Sequence, residues 1–156
     1  MPPLGSRFDP LPAFRFRIDI DAAGVGAIAA PIEAGCMECG GLHVETEVLE
    51  YREGGLNGYA HHFVGATKWA PLVLKRGLSM TIAFWEWYST VRTGIVMRRN
   101  GSICLLDTAG YEKVRWDFIG AFPVKWSGPD LRAETAGLAF ETIELVHQGF
   151  TMRVLP

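Results

Sequence analysis

Strict alternation of side-chain type marks residues 14–21 of this 156-residue chain. The segment reads FRFRIDID, so every second residue is apolar and every residue between is charged. Successive side chains of a β-strand point to opposite faces of the sheet, whereas a helix would spread this pattern around its whole surface. The segment therefore predicts a strand that is buried on one face and meets water on the other. The predicted buried side chains are Phe14, Phe16, Ile18 and Ile20.

Further extended segments follow at short spacing, separated by breaks rich in glycine and proline. They cover residues 43–51, 59–64, 68–76, 95–99, 102–106, 111–118, 122–126 and 138–146, while residues 22–41 predict a loop or short irregular strand. Asn-Gly at 100–101 is the strongest short hairpin signal, and residues 107–110 and 128–130 predict further turns. In the segment 43–51, the alternation of apolar and polar residues shifts by one position between Val48 and Leu49. This shift predicts a bulge or a strong twist there.

One segment, residues 80–93, has the spacing of an amphipathic helix. Its apolar stripe consists of Met80, Phe84, Trp87, Tyr88 and Val91. Ser79 is the candidate N-cap, and Gly94 is the candidate glycine at the C-terminal end. A single helix among many short strands predicts a mainly β domain over residues 1–156. We expect an antiparallel sandwich or barrel with the helix packed on it, preceded by an extended leader at 1–13.

Composition excludes several classes of protein. Hydrophobic residues make up 49% of the chain and charged residues 21%, which argues against intrinsic disorder. The formal net charge is −2, whereas a nucleic-acid-binding surface needs clustered Lys and Arg. No apolar run approaches the roughly 20 residues that span a membrane, and no export signal opens the chain. We therefore expect synthesis in the cytoplasm, with the three cysteines reduced.

Two short motifs could carry ligand chemistry. Residues 24–29 fit the G-x-G-x-x-A dinucleotide pattern, but Pro31 would stop the helix whose N-terminus must hold the pyrophosphate. Cys36 and Cys39 form a C-x-x-C pair, yet a structural zinc site needs four ligands and no second pair follows at zinc-finger spacing. The other candidates are His43, His61, His62 and Cys104. Buried thiols are favoured, and a small metal-binding or redox β-domain that uses Cys36 and Cys39 remains an alternative.

Charge is segregated along the chain. Residues 43–58 hold four acids against the single base Arg52, and residues 92–100 hold three bases with no acid. The acids are Glu45, Glu47, Glu50 and Glu53, and the bases are Arg92, Arg98 and Arg99. Such segments are either solvated strand faces or complementary patches on identical subunits that join head to tail.

Four stretches resemble the inner-tube proteins of contractile phage tails and of extracellular contractile injection systems, which are related in fold to the type VI secretion tube protein. They are residues 8–16, residues 45–55 with 74–77, residues 85–88 with 98–102, and residues 116–118 and 123–131 with 143–147. The resemblance thus covers nearly the whole chain. It implies two packed antiparallel sheets that close toward a barrel, a flanking helix and a long hairpin, here residues 44–76, that reaches between subunits and rings.

The resemblance also implies a function. Family members form hexameric rings that stack into a hollow tube inside a contractile sheath, so we expect a structural, non-enzymatic tube subunit with no catalytic, cofactor or metal site. A baseplate tube-initiator of the same family is the alternative. The predicted self-assembly interface combines the hairpin with the segregated charges. Its residues are Glu45, Glu47, Glu50, Glu53, Gly54, Gly55, Arg92, Arg98 and Arg99.

The implied partners are other copies of the chain, the sheath protein, and baseplate and cap proteins of the same particle. A payload or tape-measure protein in the lumen is a further expected partner. We expect neither sequence-specific nucleic-acid binding nor membrane insertion by this chain alone. The particle would be assembled in the bacterial cytoplasm as a phage tail or a tail-like particle, which is then released or attached to a membrane.

Overall fold

Antiparallel strands are the main secondary structure of the residues that the structure describes. The computed structural model describes residues 10–21, 32–34, 36–55 and 58–156, which form ten strands and one helix. The strands are β1 (Phe16–Ile20), β2 (Ile32–Ala34), β3 (Cys36–Gly40), β4 (Val44–Tyr51), β5 (His61–Trp69), β6 (Leu72–Gly77), β7 (Arg99–Leu106), β8 (Glu112–Ser127), β9 (Phe140–Val146) and β10 (Phe150–Val154). The helix is α1 (Ala83–Arg92). The mainly β class is confirmed, and β10 is a strand that the sequence patterns did not predict.

Strand β8 belongs to two sheets and joins them. Its first part pairs with β7 and β10, and its last part, from Phe122 onward, pairs with β9. The strand order is β2-β1-β7-β8-β9-β6-β3, and β10, which is not part of this order, pairs with β8. The change of sheet occurs beside Gly120, whose φ of 63° lies in the left-handed region that glycine favours. The described strands form an open sandwich and not a closed barrel.

One apolar core lies between the two sheets and the helix. Its fully buried members come from every layer, and α1 contributes Phe84 and Trp87. The Trp87 Nε1 donates a hydrogen bond to the Met97 carbonyl at 2.8 Å, so the segment after the helix is also attached to the core. Ile18 and Ile20 are buried as predicted, but β1 begins at Phe16, and Phe14 is 70% exposed.

The helix is shorter than its periodicity predicts. It begins at Ala83, and Met80 lies outside it with its side chain 99% exposed. Ser79 does not cap the helix, because its hydroxyl bonds to the Thr81 side chain at 2.9 Å instead. At the other end, Gly94 has a φ of 93° just after the last helical turn, as the predicted C-terminal glycine should.

The predicted hairpin at Asn-Gly 100–101 is wrong, because β7 runs straight through both residues. Gly101 lies opposite Ile20 on one neighbouring strand and Phe118 on the other. A Cβ atom at this position would lie 2.6 Å from the Asp19 carbonyl oxygen and 2.5 Å from the Phe118 ring. Strands β1, β7 and β8 therefore lie so close together at Gly101 that a side chain has no room, which explains why this residue is a glycine. The turns predicted at 107–110 and 128–130 do separate strands, and the G-x-G-x-x-A motif at 24–29 lies outside the described residues.

We expect Gly101→Ala to destabilise the fold by about 1–3 kcal/mol, the usual cost of forcing an extra carbon into a packed site. The matched control is Gly77→Ala, because Gly77 is also in a strand but has nothing within 4 Å of its Cβ position. Urea denaturation of both variants measures the difference. Equal midpoints for the two variants would contradict the packing explanation.

Candidate self-assembly surface

Strands β4 and β5 form a two-stranded ribbon, residues 44–69, which we call the arm. Within the described part of the chain, its two strands pair with each other and with no other strand. Every residue of β4 is exposed. The predicted hairpin extended to residue 76, but the ribbon ends at Trp69. After Pro71 the chain enters β6, which lies between β3 and β9 in the body of the protein.

A bulge fixes which side chains share a face of the arm. Thr46 lies opposite Thr67 and Val48 lies opposite Val64, so β5 uses one residue more than β4 over this step. The sequence predicts a bulge or a strong twist between Val48 and Leu49, but the pairing is regular at that step. The register shift lies one step earlier, beside Glu47, and its extra residue is on β5. The backbone at Gly65 runs so close to Glu47 that a Cβ would be 3.0 Å from its carbonyl oxygen. Bulges of this kind bend a strand and increase its twist.

One face of the arm carries a continuous set of rings, which are exposed except for the half-buried His61. His61 is the centre of this set, with its ring centroid 5.4 Å from that of Tyr59 and 6.5 Å from those of Tyr51 and Phe63. Leu49 lies opposite Phe63 on the same face and is also exposed. We call these five residues the aromatic face. Clustered exposed apolar side chains of this kind are typical of surfaces that contact another molecule.

The four predicted acidic residues line the arm but do not share one face. Strand alternation places Glu45 and Glu47 on the same side as the aromatic face and Glu50 on the opposite side. Glu45 lies opposite Lys68, and Glu50 lies 3.5 Å from the exposed Arg52. Near the tip, the Glu53 carboxylate is 3.5 Å from the His61 ring. Gly54 and Gly55 form the described part of the turn, where Gly55 has a φ of 92°.

The three predicted basic residues differ in accessibility. Arg92 is exposed in the last turn of α1, with its guanidinium 5.6 Å from the Trp85 ring. Arg98 is exposed as well, stacked 4.8 Å over Phe122. Arg99 is 2% exposed and lies over the Trp87 ring inside the fold. Arg99 therefore lies in the interior of the protein, and Arg92 and Arg98 remain candidates for the self-assembly surface.

The C-x-x-C pair lies in β3 and faces the core. A bulge between Cys36 and Glu38 places both cysteines opposite buried residues of β6, Arg76 and Leu74. Burial raises the pKa of Cys36 to about 12 and that of Cys39 to about 11, so both thiols are protonated at neutral pH. Among the described residues, no group of three or more His, Cys, Asp or Glu side chains could hold a metal ion. Protonated thiols are poor nucleophiles and poor metal ligands.

We expect both thiols to be alkylated roughly a hundredfold more slowly in the folded protein than in the unfolded chain near pH 8, because only the thiolate reacts. Site-resolved mass spectrometry after iodoacetamide treatment, with and without urea, measures this. The raised pKa values also mean that the folded state keeps protons that the unfolded state releases. Stability should therefore fall as the pH rises above the ordinary thiol pKa. Rapid alkylation of either residue in the folded state would contradict the assignment.

Known structures share this architecture over almost its full length. A chain of the anti-feeding prophage baseplate superposes with a TM-score of 0.83 at 25% identity, covering 95% of this chain and 98% of that one. A chain of the PVC sheath–tube complex in the extended state gives 0.80 at 20% identity, covering 94% and 93%. Hcp1 from Flavobacterium johnsoniae has the same fold at a TM-score of 0.51 and 13% identity, covering 88% and 93%.

Sequence comparison identifies the family. No curated protein sequence matches the chain significantly. The family model of the T4-like virus tail tube protein gp19 matches residues 12–151. This match covers the helix, the arm and every strand except most of β10, and it confirms the resemblance found in the sequence. The chain belongs to the family of the T4-like virus tail tube protein gp19.

Proposed function

We propose that the chain is a structural subunit of the inner tube of a contractile injection machine, in which hexameric rings stack around a hollow lumen. The observation that carries this proposal is the arm. A two-stranded ribbon is marginally stable by itself in water, and the described residues of the subunit do not cover the aromatic face of this one. A neighbouring copy that covers this face would stabilise both the arm and the ring.

The proposed role is mechanical and involves no catalysis. The similar structures come from a baseplate, a sheath–tube complex and a tube-terminating cap. By analogy, the partners of this chain are further copies of itself, a sheath protein, and baseplate and cap proteins. A payload or tape-measure protein would occupy the lumen. Helix α1, the helix of the described residues, is neither long nor apolar enough to cross a membrane. Assembly in the bacterial cytoplasm and later release or attachment of the particle are part of the same proposal.

In the proposed contact, opposite charges on two neighbouring subunits set the position of one subunit relative to the other. Glu45 and Glu47 flank the aromatic face of one subunit, and they would meet Arg92 and Arg98 of another. Arg98 is well placed for this role, because stacking on Phe122 and a 3.4 Å bond to the Gly120 carbonyl hold its guanidinium at the surface. An exposed ion pair contributes only about 0–1 kcal/mol. Repetition around a ring and along a tube multiplies this small contribution.

Reversing both exposed bases, in Arg92→Glu with Arg98→Glu, should weaken polymerisation while the subunit stays folded. The loss should be greater at low salt, where exposed charges are less screened. Sedimentation and negative-stain electron microscopy measure tube formation. Arg132→Glu is the matched control, because Arg132 is exposed and lies outside the proposed contact.

The reciprocal change separates a direct contact from a general effect of charge. Adding Glu45→Lys and Glu47→Lys to the double arginine variant should restore polymerisation. Failure of this rescue, or an equal loss of tubes in the Arg132→Glu control, would contradict the proposed pairing of the arm with Arg92 and Arg98.

The aromatic face gives an independent test. Leu49→Ser with Phe63→Ser should change the free energy of unfolding by no more than about 0.5 kcal/mol, because exposed side chains contribute little to stability. The same variant should form no tubes, since its contact with the neighbouring subunit is lost. Tyr111→Ser removes an even more exposed aromatic residue of the body and should still form tubes. Normal tubes from the arm variant would exclude the aromatic face from the joint.

A baseplate tube-initiator is the second candidate function. The observation that favours it is the similarity to a chain of the anti-feeding prophage baseplate, at a TM-score of 0.83 and 25% identity. The two functions differ in what the purified chain does. A tube subunit should form long stacks of rings, whereas an initiator should stop at single rings until a tube subunit is added. The metal-binding or redox alternative has no support in the described residues, because Cys36 and Cys39 face the core with raised pKa values.

A further inference from the structure

The outward side of α1 carries a further exposed apolar surface. A groove of about 340 Å³ runs along the helix, and most of the surface inside it is apolar. Its lining residues are Ile82, Trp85, Glu86, Ser89, Thr90 and Thr93. We call these six residues the helix groove. It lies on the body of the subunit, whereas the aromatic face lies on the arm, so one chain carries two different apolar surfaces.

The segment that leads into α1 extends this surface. Residues 78–82 alternate between apolar side chains and side chains with a hydroxyl group, and the apolar ones are Leu78, Met80 and Ile82. These three are 45%, 99% and 52% exposed. The Leu78 N–H donates to the Ala139 carbonyl at 2.8 Å, so the start of the segment is fixed to the body. A methionine adapts its shape to a partner and packs well against aromatic rings.

The Trp85 ring in the helix groove is held in place by its neighbours. It packs edge-on against Trp126 with the ring centroids 4.9 Å apart, and the Tyr88 ring is 6.1 Å away. The Arg92 guanidinium lies 5.6 Å from the same ring. A side chain that is already ordered loses little conformational entropy when a partner binds. The groove is therefore preorganised for a contact.

The two ends of the helix groove carry opposite charges. Glu86 lies in the first turn of α1 and Arg92 in the last turn. On the arm, Glu45 and Glu47 lie toward the root, whereas His61 lies toward the tip. If Arg92 of one subunit meets the arm root of another, then Glu86 faces His61, which can donate a hydrogen bond, and stays away from the two acids. This direction of docking gives complementary partners at both ends.

The two surfaces also have similar lengths. From Ile82 to Thr93 the helix groove extends about 16 Å, at 1.5 Å per residue of a helix. From Tyr59 to Phe63 the aromatic face extends about 13 Å, at 3.3 Å per residue of an extended chain. A contact between two different surfaces of identical chains is heterologous, so each copy can offer its arm to one neighbour and its groove to another. Such contacts generate rings or open stacks.

We propose that the helix groove of one subunit receives the aromatic face of a second copy, with Met80 and Ile82 packed against its rings. This inference rests on the proposed tube function and names the surface on which the arm docks. The contact covers two apolar surfaces that the described residues of a single subunit leave exposed, and it places Arg92 beside the acids of the arm.

The first test locates the arm in assembled tubes by photo-crosslinking. A small fraction of chains with p-benzoylphenylalanine in place of Phe63 is assembled with an excess of isotope-labelled wild-type chain. Irradiation should attach position 63 to residues 80–93 of the labelled neighbour, as identified by mass spectrometry. The same photoreactive residue in place of Tyr111, which is exposed on the body, is the control and should give no such product. Products of position 63 with other segments only, or no product, would overturn the proposal.

The second test removes apolar surface at the entrance of the groove. Met80→Ser with Ile82→Ser should keep the urea midpoint of the wild type, because both side chains are exposed. It should raise the lowest protein concentration at which tubes form by about tenfold, since apolar burial is lost at every contact. The matched control is Leu131→Ser with Val154→Ser, which changes two exposed apolar residues outside the groove and should assemble as the wild type does.

The outcomes separate this inference from the tube function on which it rests. A wild-type chain that forms no tubes would contradict both. Normal tubes from the Met80 and Ile82 variant, or tubes in which position 63 contacts other segments only, would contradict the helix groove as the docking surface and leave the tube function intact. The candidate occupant of the groove would then be a sheath protein and not a second copy.

Discussion

A buried ion pair between Arg76 and Glu141 connects the layers of the body. The two residues lie directly opposite each other on β6 and β9, with Nε and Oε1 2.5 Å apart and Glu141 1% exposed. The other carboxylate oxygen accepts a 3.1 Å bond from the Trp126 indole at the end of β8. The guanidinium stacks 4.0 Å over Phe84 of α1 and reaches the carbonyl of Thr81. Two buried charges are tolerated only when their remaining groups are also bonded, so this pair depends on the correct positions of β6, β8, β9 and the helix together.

The body pairs charged side chains within the subunit, whereas the arm leaves a group of apolar side chains exposed. Asp117 on β8 accepts hydrogen bonds from the side chains of Arg115 and Arg153, both at 2.9 Å. These charges are therefore compensated within the subunit. On the arm, the apolar side chains of the aromatic face stay exposed, although Glu50 and Glu53 lie 3.5 Å from Arg52 and His61. The exposed apolar side chains of the arm lie close together, which is typical of surfaces that contact another molecule. We therefore propose the arm as a contact with another copy of the chain.

Local patterns predicted the elements well where one face of a strand is buried, as at Ile18 and Ile20. These patterns gave wrong predictions where contacts between residues far apart in the sequence determine the local structure. Asn-Gly at 100–101 has the composition of a turn, but three crowded strands require its glycine inside β7. The charge pattern grouped Arg99 with its exposed neighbours, because charge alone does not reveal that Trp87 covers it. The arm was predicted through the family resemblance, whereas no local pattern connects His147 with the Ala70 carbonyl that it contacts.

The continuity of β8 has a mechanical consequence. Because its 16 residues run through both sheets, the two layers are joined by covalent bonds as well as by the packing of side chains. Sliding one layer over the other would require extension or bending of this strand, and the bend beside Gly120 is braced by the Asn100 side chain, whose Oδ1 accepts the Gly120 N–H at 3.0 Å. In the proposed tube, an axial load on a subunit would therefore pass between its two layers through the backbone of β8 as well as through side-chain contacts.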